Sequence, residues 1–73
     1  MPEQRVIDGR AMSPPEPLEL AVAALREMAS GDELVMALNC EPYPLYSLLD
    51  RNAYRHSSRV REDGANEVRI RKL

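Results

Sequence analysis

Cys40 and His56 are the only cysteine and the only histidine in the chain, and that scarcity limits its chemistry. A single thiol closes no intramolecular disulfide, so a disulfide-stapled secreted module is excluded and a reducing, cytoplasmic setting is expected. Structural zinc takes four ligands from Cys, His or carboxylate, so Cys40 and His56 would have to converge from different elements and be completed by carboxylates. Spacing does not show whether they converge, and no metal or other cofactor is expected. Cys40 precedes a short helical pattern, where a helix N-terminus lowers a thiol pKa from about 8.5, but the adjacent Glu41 opposes that effect. No Cys-x-x-Cys pair is present.

Other catalytic arrangements are equally short of parts. Ser13, Ser30, Ser47, Ser57 and Ser58 share one histidine and lie in no nucleophile-elbow motif. Gly9, Gly31 and Gly64 are too far apart to build a phosphate-binding loop and read as turn residues. Asp8 and Glu16 lie beside a helix start, where carboxylates usually serve as capping groups. The expectation is that the chain is not an enzyme.

What stands out is proline. Ser13-Pro14-Pro15-Glu16-Pro17 precedes an amphipathic run, and Ser13 and Glu16 have the S-x-x-E spacing of a capping box. A residue before proline is pushed away from helical torsions, which disfavours Pro14 and Glu16 and puts the helix onset between Pro14 and Pro17. The three prolines donate no N–H, so this helix start is a poor anion cradle and a stiff, apolar turn suited to contact. A second proline turn, Asn39 to Pro44, precedes the other helical pattern.

The elements that must hold these turns follow from periodicity. Arg5 to Asp8 is β-branched at its centre and is followed by Gly9, as a strand ending in a turn would be. Leu18, Ala21, Val22, Leu25 and Met28 form one helical stripe, with Gly31 as the stop. Glu33 to Leu38 is a nearly continuous apolar run, a strand buried on both faces. Leu45, Leu48 and Leu49 mark a shorter helix stopped near Asn52. From Ala53 to Arg61, Tyr54, His56, Ser58 and Val60 alternate with an outward polar set. This suits an edge strand whose arginines discourage pairing with another chain. Gly64 centres a turn into a last strand carrying Val68 and Ile70. The order β-α-β-α-β-β gives an α/β (α+β two-layer) sandwich, with two helices on one face of a four-stranded mixed sheet.

Composition sets the remaining bounds. The chain has 73 residues, one domain's worth, with 44% hydrophobic and 30% charged residues and neither Phe nor Trp, so its core is aliphatic. A net charge of -2 argues against phosphate-neutralising nucleic-acid binding. Arg51, Arg55, Arg59, Arg61, Arg69, Arg71 and Lys72 gather in the last third, where Glu62, Asp63 and Glu67 dilute them. No apolar run approaches the roughly 20 residues that cross a bilayer, and no export signal is read at the N-terminus.

Ile7-Asp8, then Pro14-Pro15-Glu16-Pro17, then a helix ending at Ala29-Ser30-Gly31-Asp32 resembles the TusA/SirA-like proteins. Their signature is Cys-Pro-x-Pro, so the resemblance puts Pro14 where they carry a persulfide-bearing cysteine and aligns Pro15 and Pro17 with their two prolines. Pro42-Tyr43-Pro44-Leu45-Tyr46 is similar to a stretch of the branch catalogued as domain of unknown function 2249, and the likeness runs from about Val6 to Lys72. It implies the two-layer fold and a sulfur-carrier frame without its thiol, and it carries no settled activity. The expectation is a small binding or regulatory module. Its partner surface comprises Ser13, Pro14, Pro15, Glu16, Pro17, Cys40, Pro42, Pro44 and Tyr46, and it meets a protein partner or a small ligand. The alternative is a sulfur-relay or redox protein using Cys40.

Overall fold

The computed structural model describes residues 2–13, 15–52 and 54–73. Six elements follow in the expected order: β1 (Gln4–Asp8), α1 (Glu16–Glu27), β2 (Glu33–Leu38), α2 (Tyr43–Arg51), β3 (Tyr54–Val60) and β4 (Asn66–Lys72). The strands form one mixed sheet in the order β1-β2-β4-β3, with β1 parallel to β2 and the other two pairs antiparallel. Both helices lie on one face, because each crossover from a strand must return right-handed. Ala53, read as the start of the third strand, and Pro14 lie outside the described residues.

The core lies between the helices and that face. Leu34, Met36 and Leu38 of β2 and Val68 and Ile70 of β4 meet Ala21 and Leu25 of α1, Met28, and Leu45 and Leu49 of α2. Side chains alternate across a strand, so Val35 and Ala37 point to the other face, yet both are also buried. Register explains this: Val35 stands between Val6 of β1 and Arg69 of β4, and Ala37 between Asp8 and Glu67. Flanking side chains cover them where no helix does. The reading of β2 as a strand buried on both faces therefore holds for Leu34 to Leu38.

Helix α1 begins at Glu16, inside the window expected from Pro14 to Pro17. Pro15 occupies its N-cap position and no side chain caps it, so the Ser13 and Glu16 side chains do not form a capping box. The Glu16 N–H instead donates to the Ser13 carbonyl at 3.0 Å, a backbone turn that fits the restriction proline imposes on its neighbour. The far end departs from expectation. Gly31 is not the stop: the chain turns extended at Met28, three residues earlier. Lys72 Nζ donates to the Met28 carbonyl at 2.7 Å and, beside the Met28 N–H, to the Leu25 carbonyl at 3.4 Å, capping the end of the helix. Gly31, at φ 91°, serves the following turn, where its N–H donates to the Lys72 carbonyl.

Buried Asp32 ties the same end together. Its carboxylate accepts the Glu3 and Ala29 N–H groups, each at 2.9 Å, and these bonds lower its pKa.

Candidate functional site

Because β1 and β2 are parallel, their carboxyl ends lie at one end of the sheet, and the starts of the helices that follow them lie there too. That is where open α/β sheets place ligands. The structure has a pocket of about 350 Å³ at this position. Gly9 and Met12 from the β1–α1 connection line it, with Pro15, Pro17 and Leu18 from the start of α1. Met36 and Leu38 of β2 form its inner wall, Asn39, Cys40 and Glu41 continue its rim, and Pro42, Pro44 and Leu45 complete it.

Local bonds fix this frame. The Gly9 N–H donates to the Ala37 carbonyl at 2.8 Å, seating the end of β1 against β2. A Cβ on Gly9 would stand 2.7 Å from Leu38 Cδ2 and 3.4 Å from both the Ala37 carbonyl oxygen and Pro17 Cβ, so glycine is what allows this approach. Arg10 anchors the next turn: it binds the Asp8 carboxylate through Nε and Nη2, reaches Asp63 through Nη1, and accepts the Asn39 side-chain amide at its carbonyl. Its guanidinium lowers the Asp8 pKa to about 2.

The lining is almost wholly apolar, with Asn39, Glu41 and the Cys40 thiol as the polar groups. No Lys, Arg or His lines the pocket among the described residues, and Glu41 is the one charge. The Glu41 carboxylate also raises the pKa of Tyr43 beside it. Such a pocket disfavours an anion and suits a compact, uncharged apolar group; about 300 Å³ is where small-molecule pockets begin.

The residues read from sequence as a partner surface divide here. Pro15, Pro17, Cys40, Pro42 and Pro44 converge on the pocket. Ser13 and Glu16 are exposed beside it without lining it, and Pro14 lies outside the described residues. Tyr46 turns away: its ring stacks on His56 of β3 with centroids 5.1 Å apart and planes 10° apart. His56 Nε2 meets Asp50 Oδ1 at 2.9 Å, so it docks α2 on β3, while Cys40 stands at the pocket. No group of three or more His, Cys, Asp or Glu that could hold a metal is found among the described residues.

Gly9, Met12, Leu18, Met36, Leu38 and Leu45 were not singled out as site residues. The signal that points to them is topological: a parallel β1–β2 pair must bring Gly9, Leu38 and both helix starts together.

The fold is shared with a SirA-like protein of known structure. A crystal structure of a SirA-like protein from Desulfitobacterium hafniense superimposes with a TM-score of 0.81, covering 90% of this chain and 93% of that one at 22% identity. No curated protein matches the chain. The sequence profile of the uncharacterized conserved protein family DUF2249 matches residues 6–72, and the chain belongs to that family. The match spans almost the segment over which the sequence resembles it.

Proposed function

We propose that this protein is a non-catalytic binding module that receives a compact apolar group, from a small molecule or an anchoring side chain of a protein partner, in the pocket between its two proline turns. The observation that carries this reading is the pocket itself: about 350 Å³, apolar, and built from both proline segments. Prolines supply apolar surface whose backbone is already restricted, so little order is lost when a ligand closes on them.

Indole, an uncharged probe of suitable size, tests the proposal. It should raise the unfolding midpoint in a concentration-dependent way, as a ligand of the folded state does. Met12→Trp, which fills the pocket from a half-buried loop position, should abolish that rise without losing the fold. An equal rise in the variant refutes the assignment.

A second reading places Cys40 in a sulfur relay. It is favoured by one observation: this exposed thiol lines the same pocket as Pro15 and Pro17. The Cys40 thiolate would take the outer sulfur of a donor persulfide and release the donor thiolate. Incubation with a persulfide-loaded cysteine desulfurase decides it: label in the parent that vanishes in Cys40→Ser supports the relay, and an unlabelled parent eliminates it.

A further inference from the structure

The helix-free face of the sheet gathers arginines over β3 and β4, while Asp8 and Glu33 lie on its β1–β2 half. Across β4 and β3 its side chains are Arg69, Arg71, Arg55 and Arg59, with Ser57 and Glu67 among them, and Arg61 reaches in just beyond β3. Glu67 organises three of these arginines. Only 4% exposed, it accepts Nε of Arg59 at 3.0 Å, Arg61 at 2.9 Å and Arg69 at 3.0 Å. Binding through Nε leaves the terminal nitrogens of Arg59 and Arg61 free to meet an anion, in side chains already ordered by Glu67. Arg55 and Arg71 face each other directly across β3 and β4; Glu33 stands across from Arg71 on the β2 side but binds Arg69, and no ion pair engages Arg55 or Arg71 among the described residues. Like charges opposite one another repel, and an anion set between them relieves that repulsion.

Strand β3 is also an edge of the sheet, so the backbone donors and acceptors along its outer side have no partner strand. A second copy of β3 would set arginines beside arginines and is selected against. A nucleic-acid strand would find no aromatic platform: Tyr43 and Tyr46 belong to α2, and Tyr54 points to the helix side. The geometry points to an acidic, extended protein segment that adds to the outer edge of β3, its alternate carboxylates facing Arg55 and Arg59. The arginines that guard this edge against neutral or basic strands are then what admit an acidic one. This surface is separate from the pocket, and neither assignment depends on the other.

A short peptide alternating glutamate and threonine is the probe. It should slow amide exchange along the outer side of β3, and its affinity should fall as salt rises. Arg55→Glu gives a decisive second readout, because it turns the repulsive pair with Arg71 into an attractive one. The variant should unfold at a higher temperature than the parent yet bind the peptide about tenfold more weakly. Absence of protection on β3, equal binding by a lysine–threonine peptide, or stronger perturbation of this face by oligo(dT) would each overturn the assignment.

Discussion

Glu67 shows most directly how one residue can organise a surface. Burial raises a carboxyl pKa, but hydrogen bonds from Arg59, Arg69 and Arg61 outweigh it and lower the value from 4.5 to about 2. Because the folded value lies below the unfolded one, the stabilisation is complete above about pH 4.5 and is lost as pH falls through about 2. Glu67→Gln should therefore lower stability at neutral pH and flatten the acid limb of the stability profile between these values, as chemical unfolding at several pH values would report. An unchanged acid limb would remove Glu67 from this role. Its burial was not legible in the sequence. Alternation along β4 assigns Glu67 correctly to the face opposite Val68 and Ile70, but says nothing of Arg59 and Arg61 arriving from the neighbouring strand. At Gly9, Gly9→Ala should push Leu38 toward the pocket, destabilising the fold by about 1–3 kcal/mol and weakening indole binding.

At the scale of elements, the outcome turns on how helices end. The apolar stripe from Leu18 to Met28 was readable because its spacing is local, and α1 formed there. Its onset at Glu16 fell in the expected window, but its capping and its stop were less readable. The capping box expected of Ser13 and Glu16 gave way to a backbone turn leading into Pro15, and the stop assigned to Gly31 fell at Met28. The second displacement has a long-range cause, since Lys72 comes from the last strand to cap the carbonyls of Leu25 and Met28. Lys72→Met keeps the alkyl stem and removes the charge. It should cost about 1–2 kcal/mol and raise amide exchange in the last turn of α1. An α1 terminus as protected as before would contradict that account. On β3, Tyr54 and His56 meet α2, whereas Ser58 and Val60 run on past it and are exposed, so the inward set is only half covered. Alternation predicts which face a side chain takes but not how far a nine-residue helix extends over it.

Over the whole molecule, two surfaces separate by chemistry. One end, at the β1 and β2 carboxyl termini, offers an apolar pocket without cations among the described residues, and the helix-free face offers ordered arginines. The two-layer topology was legible from the order of the periodic segments. So were the two proline turns ahead of the helices, and five of their residues converge on the pocket. The pocket's walls were not, because Met36 and Leu38 read as core until the parallel pairing of β1 and β2 brings Gly9 beside them. Substituting the core behind the walls should be severe: Leu49→Ala, at a fully buried α2 position, should cost about 2–5 kcal/mol in denaturant unfolding. The central claim concerns the pocket, and amide NMR during an indole titration tests it most directly. The account predicts shifts centred on Gly9, Leu38, Cys40 and Leu45 that are lost in Met12→Trp. Shifts centred instead on Val22, Leu48 and Tyr54, in the shallower groove between the helices, or shifts that persist in the variant, would contradict it.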